Sequence, residues 1–279
     1  MSLLLLAAAM SMAPGPASAA TSCFGKRATV VGTAGDDVLQ GTTGVDVIAG
    51  LAGNDTIKGL GGKDLICAGE GQDFVAGNPG ADRISGGADD DTLTGGGGGD
   101  AIKGDAGNDN LEGDGGNDRL KGNAGTDYIA GDAGDDALFG LGDGDTVLGG
   151  EGNDTLDGGD GVDFASWDQA AAGITADLGA GTASGEGTDT LTAIEALSGS
   201  AHDDTLIGND VANNISGADG NDNIGGRGGN DSLEGDQGND TVTGDAGDDY
   251  ISGGPDEDSV DGGEGTDDCK QGETTTNCE

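Results

Sequence analysis

From Leu39 to Leu156 an aliphatic side chain stands at every ninth residue: Leu39, Ile48, Ile57, Ile66, Val75, Ile84, Leu93, Ile102, Leu111, Leu120, Ile129, Leu138, Val147 and Leu156, with Ala165 as a weaker last member. Glycine, aspartate and small polar residues dominate the positions between. A period of nine is neither the 3.6 of an amphipathic helix nor the 2 of a long strand. It is the signature of a short structural unit repeated in space. Each aliphatic residue with its two neighbours predicts a very short strand, the aliphatic side chain inward and its neighbours outward. The six residues before it predict a tight turn with positive φ angles. So dense a scatter of glycine excludes helix. Turn, strand, turn, strand then closes one coil per two repeats, and coils stack about 4.8 Å apart. The whole is expected to be an all-β solenoid.

Aspartate holds the same period, two residues before each aliphatic position: Asp37, Asp46, Asp55, Asp64, Asp73, Asp82, Asp91, Asp100, Asp109, Asp118, Asp127, Asp136, Asp145, Asp154 and Asp163. Five residues before each aspartate sits glycine, except at Ala68. These fifteen repeats make a first array within residues 21–166. The register then breaks. Residues 167–198 show no nine-residue period, hold the only tryptophan, Trp167, and contain strand-like stretches around Ile174–Leu178 and Thr190–Leu197. A second array of eight repeats follows within 199–270, with Asp204, Asn213, Asp222, Asp231, Asp240, Asp249, Asp258 and Asp267 at the sixth position. The fold expected is two stacked arrays with a short irregular interlude.

Composition sharpens the picture. The 279 residues include 63 glycines, seven aromatic residues and four prolines. A core of interlocked large side chains cannot be built from these. Collagen needs a period of three. Ten basic against 54 acidic residues leave a formal charge of −44, so a compact chain repels itself. Nucleic acid is not expected as a partner, because phosphate contacts need a basic surface. One buried aliphatic group per repeat cannot offset the entropy of ordering nine glycine-rich residues, so something else must bind the folded state. In a stack, repeats one coil apart face each other, and each turn brings a carboxylate plus backbone carbonyls exposed by the glycines. That is a cage of hard oxygen ligands suited to Ca²⁺, and less so to Mg²⁺, which demands strict octahedral geometry. The arrays allow at most about 19 such pairings.

The repeat Gly149-Gly150-Glu151-Gly152-Asn153-Asp154-Thr155-Leu156-Asp157 resembles the G-G-x-G-x-D-x-U-x nonapeptide of the RTX, or haemolysin-type, calcium-binding family, over about three-quarters of the chain. The resemblance implies a right-handed parallel β-roll whose sixth-position carboxylates bind calcium with turn carbonyls, and a chain largely disordered without the metal. Carried over residue by residue, the expected calcium ligands are Asp37, Asp46, Asp55, Asp64, Asp82, Asp100, Asp109, Asp118, Asp127, Asp136, Asp154, Asp163, Asp222, Asp231, Asp240, Asp249 and Asp267. Other turns depart from the pattern. Asp89, Asp143 and Asp256 replace the fourth-position glycine, His202 takes that slot before Asp204, Asn213 replaces the aspartate, and Pro79 lies in the turn before Asp82. Leu51, Leu60, Thr33 and Thr42 stand at the second position in the first coils, which are expected to bind weakly or to rely on a disulfide.

Residues 1–20 read as a Sec-type secretory signal: an apolar run from Leu3 to Met12, a Pro14-Gly15-Pro16 break and an Ala17-Ser18-Ala19 cleavage site. The run is too short to span a bilayer. Four cysteines suit an extracellular compartment. Three pairings are possible; the local one, Cys23–Cys67 with Cys269–Cys278, would close each end on itself, the second around a 271–279 tail. The Cys-bounded ends are similar to those of secreted actinobacterial members of the family. No HExxH or GxSxG motif is present, and the single histidine, His202, reads as a solvated turn residue. The expected function is a non-enzymatic, secreted calcium-binding protein with a structural or adhesive role toward a cell-surface or matrix partner. The alternative is a carrier or accessory module for an extracellular enzyme or toxin, with the interlude around Trp167 and His202 as the candidate for its specific site.

Overall fold

A computed structural model describes residues 21–272 and 274–278. The signal expected at 1–20 lies outside the described residues. The chain is all β: two long sheets of 13 and 16 strands and a two-stranded N-terminal hairpin. Within the arrays every neighbouring strand pair is parallel and its register advances by two repeats. Thr92 pairs with Asn110, Leu93 with Leu111 and Thr94 with Glu112; Ile102 pairs with Leu120 in the other sheet. The result is a parallel β-solenoid, a β-roll of about 14 turns. Among the described residues no helix is long and apolar enough to cross a membrane.

The core is the periodic aliphatic set. Ile48, Ile66, Ile84, Ile102, Leu120, Leu138 and Leu156 stack along one sheet, and Ile57, Val75, Leu93, Leu111, Ile129 and Val147 along the other; all are buried. With one aliphatic residue per strand, each is irreplaceable locally. Leu111→Ala is expected to destabilise the folded protein by about 2–5 kcal/mol, read as a lowered urea midpoint.

Most strands of the first array are longer than the three residues the pattern predicts. Thr92–Gly97 and Asn110–Gly115 run six residues, because the first three turn residues also pair across coils, Gly96 with Asp114 and Gly97 with Gly115; Val38–Gln40, Thr56–Lys58 and Phe74–Ala76 keep to three. Strands of the second array keep to three, as at Ser232–Glu234 and Thr241–Thr243.

The interlude breaks the period but not the stack. In the 13-stranded sheet Phe164–Ser166 pairs directly with Ala196–Ser198, which pairs with Asn214–Ser216. In the 16-stranded sheet the chain makes a detour. Thr155 and Leu156 pair with Thr190 and Leu191. An antiparallel excursion through Thr182–Ser184 and Thr175–Asp177 then leads to Thr205–Ile207. Leu191 and Leu197 continue the buried aliphatic ladders.

Both ends are closed. The structure joins Cys23 to Cys67 and Cys269 to Cys278. The first bond holds the Ser22–Cys23/Lys26–Arg27 hairpin against the first coils. At the other end Cys269 takes the next aliphatic position beside Ile251, and Thr274–Thr276 adds a final strand beside Ser259–Asp261. A solenoid needs such caps because each terminal coil otherwise exposes its inner face.

Candidate metal centre

Each sixth-position aspartate follows a turn and points back into the stack. From Asp55 through Asp163 and from Asp222 through Asp267 its Oδ1 accepts the backbone N–H of the sixth-position residue one coil earlier: Asp100 N–H donates to Asp118 Oδ1 at 2.6 Å, Asp118 N–H to Asp136 Oδ1 at 2.7 Å, Asp222 N–H to Asp240 Oδ1 at 2.8 Å. The side chains are almost wholly buried, typically 2–3% exposed. The second oxygen is the unusual one. Oδ2 of Asp55, Asp64, Asp82, Asp100, Asp109, Asp118, Asp127, Asp136, Asp154, Asp163, Asp222, Asp231, Asp240, Asp249 and Asp267 is buried without a hydrogen-bond partner, as is that of Asp73, Asp91 and Asp145. A buried polar atom without a partner is costly, and here the cost recurs along both edges of the roll.

Each open oxygen except that of Asp73, which faces Ala68, looks into a notch that glycine keeps free. A Cβ built on Gly113 would lie 2.6 Å from Asp118 Oδ2 and 2.7 Å from the Gly131 carbonyl oxygen; on Gly77 it would lie 2.5 Å from Asp82 Oδ2 and 2.6 Å from Gly95 O. A carboxylate oxygen of one coil and a carbonyl oxygen of the next therefore converge on one small space. Among the described residues no three His, Cys, Asp or Glu side chains gather at one point, so a cation here takes most of its ligands from the backbone. Calcium accepts mixed carboxylate and carbonyl sets of six to eight oxygens, and the donor chemistry fits it.

Burial, opposed by the donated backbone N–H and reinforced by neighbouring carboxylates, pushes the carboxyls up to about 7 at Asp91, Asp127, Asp136 and Asp222. At Asp64, Asp82, Asp100, Asp118 and Asp154 the same causes give about 6. A cation bound beside such carboxyl groups would favour their charged form.

The family model of the RTX calcium-binding nonapeptide repeat matches residues 28–50, 40–75, 68–111, 103–138, 139–165, 198–233 and 234–269. The chain belongs to this family. No curated protein matches it. RTX repeats bind Ca²⁺, and the open oxygens lie where the repeat places its sixth residue.

The turns of this RTX chain are not all alike. Asp37 Oδ2 accepts from the Thr33 N–H at 2.5 Å and the Thr33 hydroxyl at 2.9 Å; Asp46 Oδ2 accepts from the Thr42 N–H and hydroxyl at 2.6 and 2.8 Å. At Asp204 the Ser200 N–H donates to Oδ2 at 2.5 Å and the Ser200 hydroxyl to Oδ1 at 2.9 Å. These aspartates, two of them among the expected ligands, have no open Oδ2. Asp73, Asp91 and Asp145, set aside from the repeat pattern, do have one. Asp89 and Asp143 adopt the left-handed φ of 75° and 68° that glycine holds elsewhere, and each reaches back to a glycine N–H of the preceding coil, Gly71 and Gly125. Pro79 fits as well, since its carbonyl still accepts from Gly62 N–H. At Ala68 a methyl group stands where other repeats keep the notch clear.

Two ligand-position residues escaped the period. Asp189, buried, accepts the Asp154 N–H at 3.1 Å and a hydrogen bond from the Trp167 side chain. Glu195 accepts the Asp163 N–H at 3.1 Å. The signal was present in Gly187-x-Asp189-x-Leu191, but displaced from the nine-residue frame. A second ladder was also missed. Fifth-position Asn and Asp side chains accept backbone N–H groups from one coil later, as in Asn54 N–H to Asp36 Oδ1, Thr126 N–H to Asn108 Oδ1 and Asn239 N–H to Asn221 Oδ1. It runs opposite in sense to the sixth-position ladder. His202 stays in its turn, its backbone N–H on Ser200 Oγ at 3.2 Å.

Proposed function

We propose that this chain is a secreted, non-enzymatic calcium-binding protein whose β-roll is completed by calcium held in its turns. The ions are held by the aspartates with an open Oδ2, from Asp55 through Asp163 and from Asp222 through Asp249, together with Asp267 and facing carbonyls. The carrying observation is the unpartnered buried Oδ2, repeated beside a glycine notch along the roll. When bound, calcium supplies the positive charge that neighbouring carboxylates lack; the chain supplies the spacing. RTX proteins are commonly secreted, and a leader at 1–20 would deliver this one from low to millimolar calcium, where each ion adds stability by mass action. A rod with capped ends suits a structural or adhesive role outside the cell.

Asp37, Asp46 and Asp204 act in this reading as self-capped turns, so the number of ions falls short of the pairings the repeat count allows. Calorimetric titration of the chelated protein with Ca²⁺ tests this directly. Many ions per chain are expected, fewer than about 19, with cooperative uptake. A stoichiometry of one or two would refute a ladder of sites.

The carrier reading has one observation of its own, a cleft of about 290 Å³ beside the interlude, lined by Tyr128, Leu148, Trp167, Asp132, Glu151 and Glu186 among others. Tyr128→Ala, with calcium uptake unchanged, would reveal a cargo through loss of its binding.

A further inference from the structure

Four of the roll's few cations share one face. Of ten basic residues, Arg83, Lys103, Arg119 and Lys121 lie on the outer face of three consecutive strands of the 16-stranded sheet, Arg83–Ala88, Ala101–Ala106 and Arg119–Ala124. Register sets them in two rows: Arg83, Ala101 and Arg119 in line, and Ser85, Lys103 and Lys121 in line. Two more, Lys26 and Arg27, belong to the hairpin that Cys23 fastens beside this face.

In so acidic a chain the expected fate of a cation is a carboxylate partner. None of these four has one. The ion pairs among the described residues are Arg227 with Asp177 and Lys270 with Asp268. The carboxylate on the same strands, Asp105, is taken by the Ser85 hydroxyl; Asp157 lies beyond Phe139, one strand farther out. The guanidiniums are braced instead by phenyl rings. Arg83 lies 4.3 Å over the Phe24 ring and Arg119 4.2 Å over Phe139, with Lys121 at 5.3 Å from the same ring. A stacked guanidinium has its plane fixed and its N–H edge free, the geometry that grips a phosphate, sulfate or carboxylate through two parallel hydrogen bonds. Between the arginines the small side chain of Ala101 leaves a shallow cleft of about 50 Å³, with Lys103 and Lys121 along it.

We propose that this face is a binding site for an anionic polysaccharide, one charged group seated over Ala101 between Arg83 and Arg119 and the next beside Lys103 and Lys121. Charge and shape favour a single flexible chain over a broad partner. The surrounding surface is strongly negative, and an anionic membrane or a second copy of this protein would bring like charge against it over a wide area. A narrow polymer touches the basic strip alone.

The test uses the protein under whichever calcium condition gives its folded circular dichroism spectrum, so that a failure of the calcium reading is seen separately. The probe is a fluorescent sulfated octasaccharide derived from heparin, followed by anisotropy at low salt. Binding that weakens with salt is expected. Arg83→Gln with Arg119→Gln is expected to weaken it by about tenfold or more, and Arg83→Lys with Arg119→Lys by less, since charge remains but the fork is lost. Lys58→Gln with Lys63→Gln, the same charge change elsewhere, is expected to shift it by no more than about twofold. The proposal is overturned by no binding, by equal loss in the glutamine pairs, by phosphatidylserine vesicles binding as well as the sugar, or by an arginine-dependent dimer without sugar binding.

Discussion

Chelation at neutral pH is expected to abolish most of the β-sheet circular dichroism signal, and acidifying the chelated protein to about pH 5 to restore part of it. Both halves follow from the same buried carboxyls. Their folded pKa values, about 6 at Asp118 and about 7 at Asp127, lie above the ordinary aspartate value of 3.8. The folded metal-free chain therefore binds more protons than the unfolded one between about pH 4 and 7. The contribution of these groups to stability is greatest below the unfolded value and is lost as pH rises through 6 to 7. Protonation removes the buried charge that calcium would otherwise balance. With calcium present the dependence reverses, because protons compete for the same oxygens: calcium affinity should fall below about pH 6. A chelated protein equally folded at pH 7.5 and pH 5 would show that the carboxylates need no counter-charge.

The second large effect is expected at single turns. Asp118→Asn keeps Oδ1 as acceptor for the Asp100 N–H but sets an amide where the open oxygen was. Asn213 is turned the other way, its Oδ1 in the Gly208 notch accepting the Asn209 N–H at 2.8 Å and its amide on the Glu195 carbonyl at 3.1 Å, because the Glu195 N–H is already taken by the Asp163 carbonyl; at Asp118 the Asp100 N–H holds the oxygen on the ladder side. The variant should lose one or two ions by calorimetry and be less stable in saturating calcium by about 2–3 kcal/mol per ion lost at a hundredfold excess over Kd. It should be no less stable than the parent in chelator. Asp46→Asn should leave the ion count unchanged, because Thr42 already occupies that Oδ2. Equal losses at the two positions would mean that the open oxygen does not define the site.

Much of this molecule could be read before its coordinates. The aliphatic period fixed the inward residues, and two repeats per coil set the register that pairs Leu93 with Leu111. What stayed hidden depended on distances that a period does not carry. Thr33 and Thr42 sit at a position where glycine and leucine also occur, and only geometry shows their hydroxyls closing the aspartates off. Asp189 and Glu195 lay outside the nine-residue frame because the excursion in one sheet is longer than a repeat while the other sheet runs straight on. The basic strip was masked by averaging. A charge of −44 argues against any anionic partner, whereas Lys103 and Lys121 one coil apart, and Arg83 and Arg119 two coils apart, stack into a local exception.

The two hydrogen-bonded ladders at the fifth and sixth positions point in opposite directions along the roll. An interior coil that carries both ladders thus donates to and accepts from each of its neighbours. Such a molecule behaves as a one-dimensional chain of coupled units. An injury near a cap should merely shorten the cooperative block, whereas the same injury at mid-roll should divide it into two segments that melt separately.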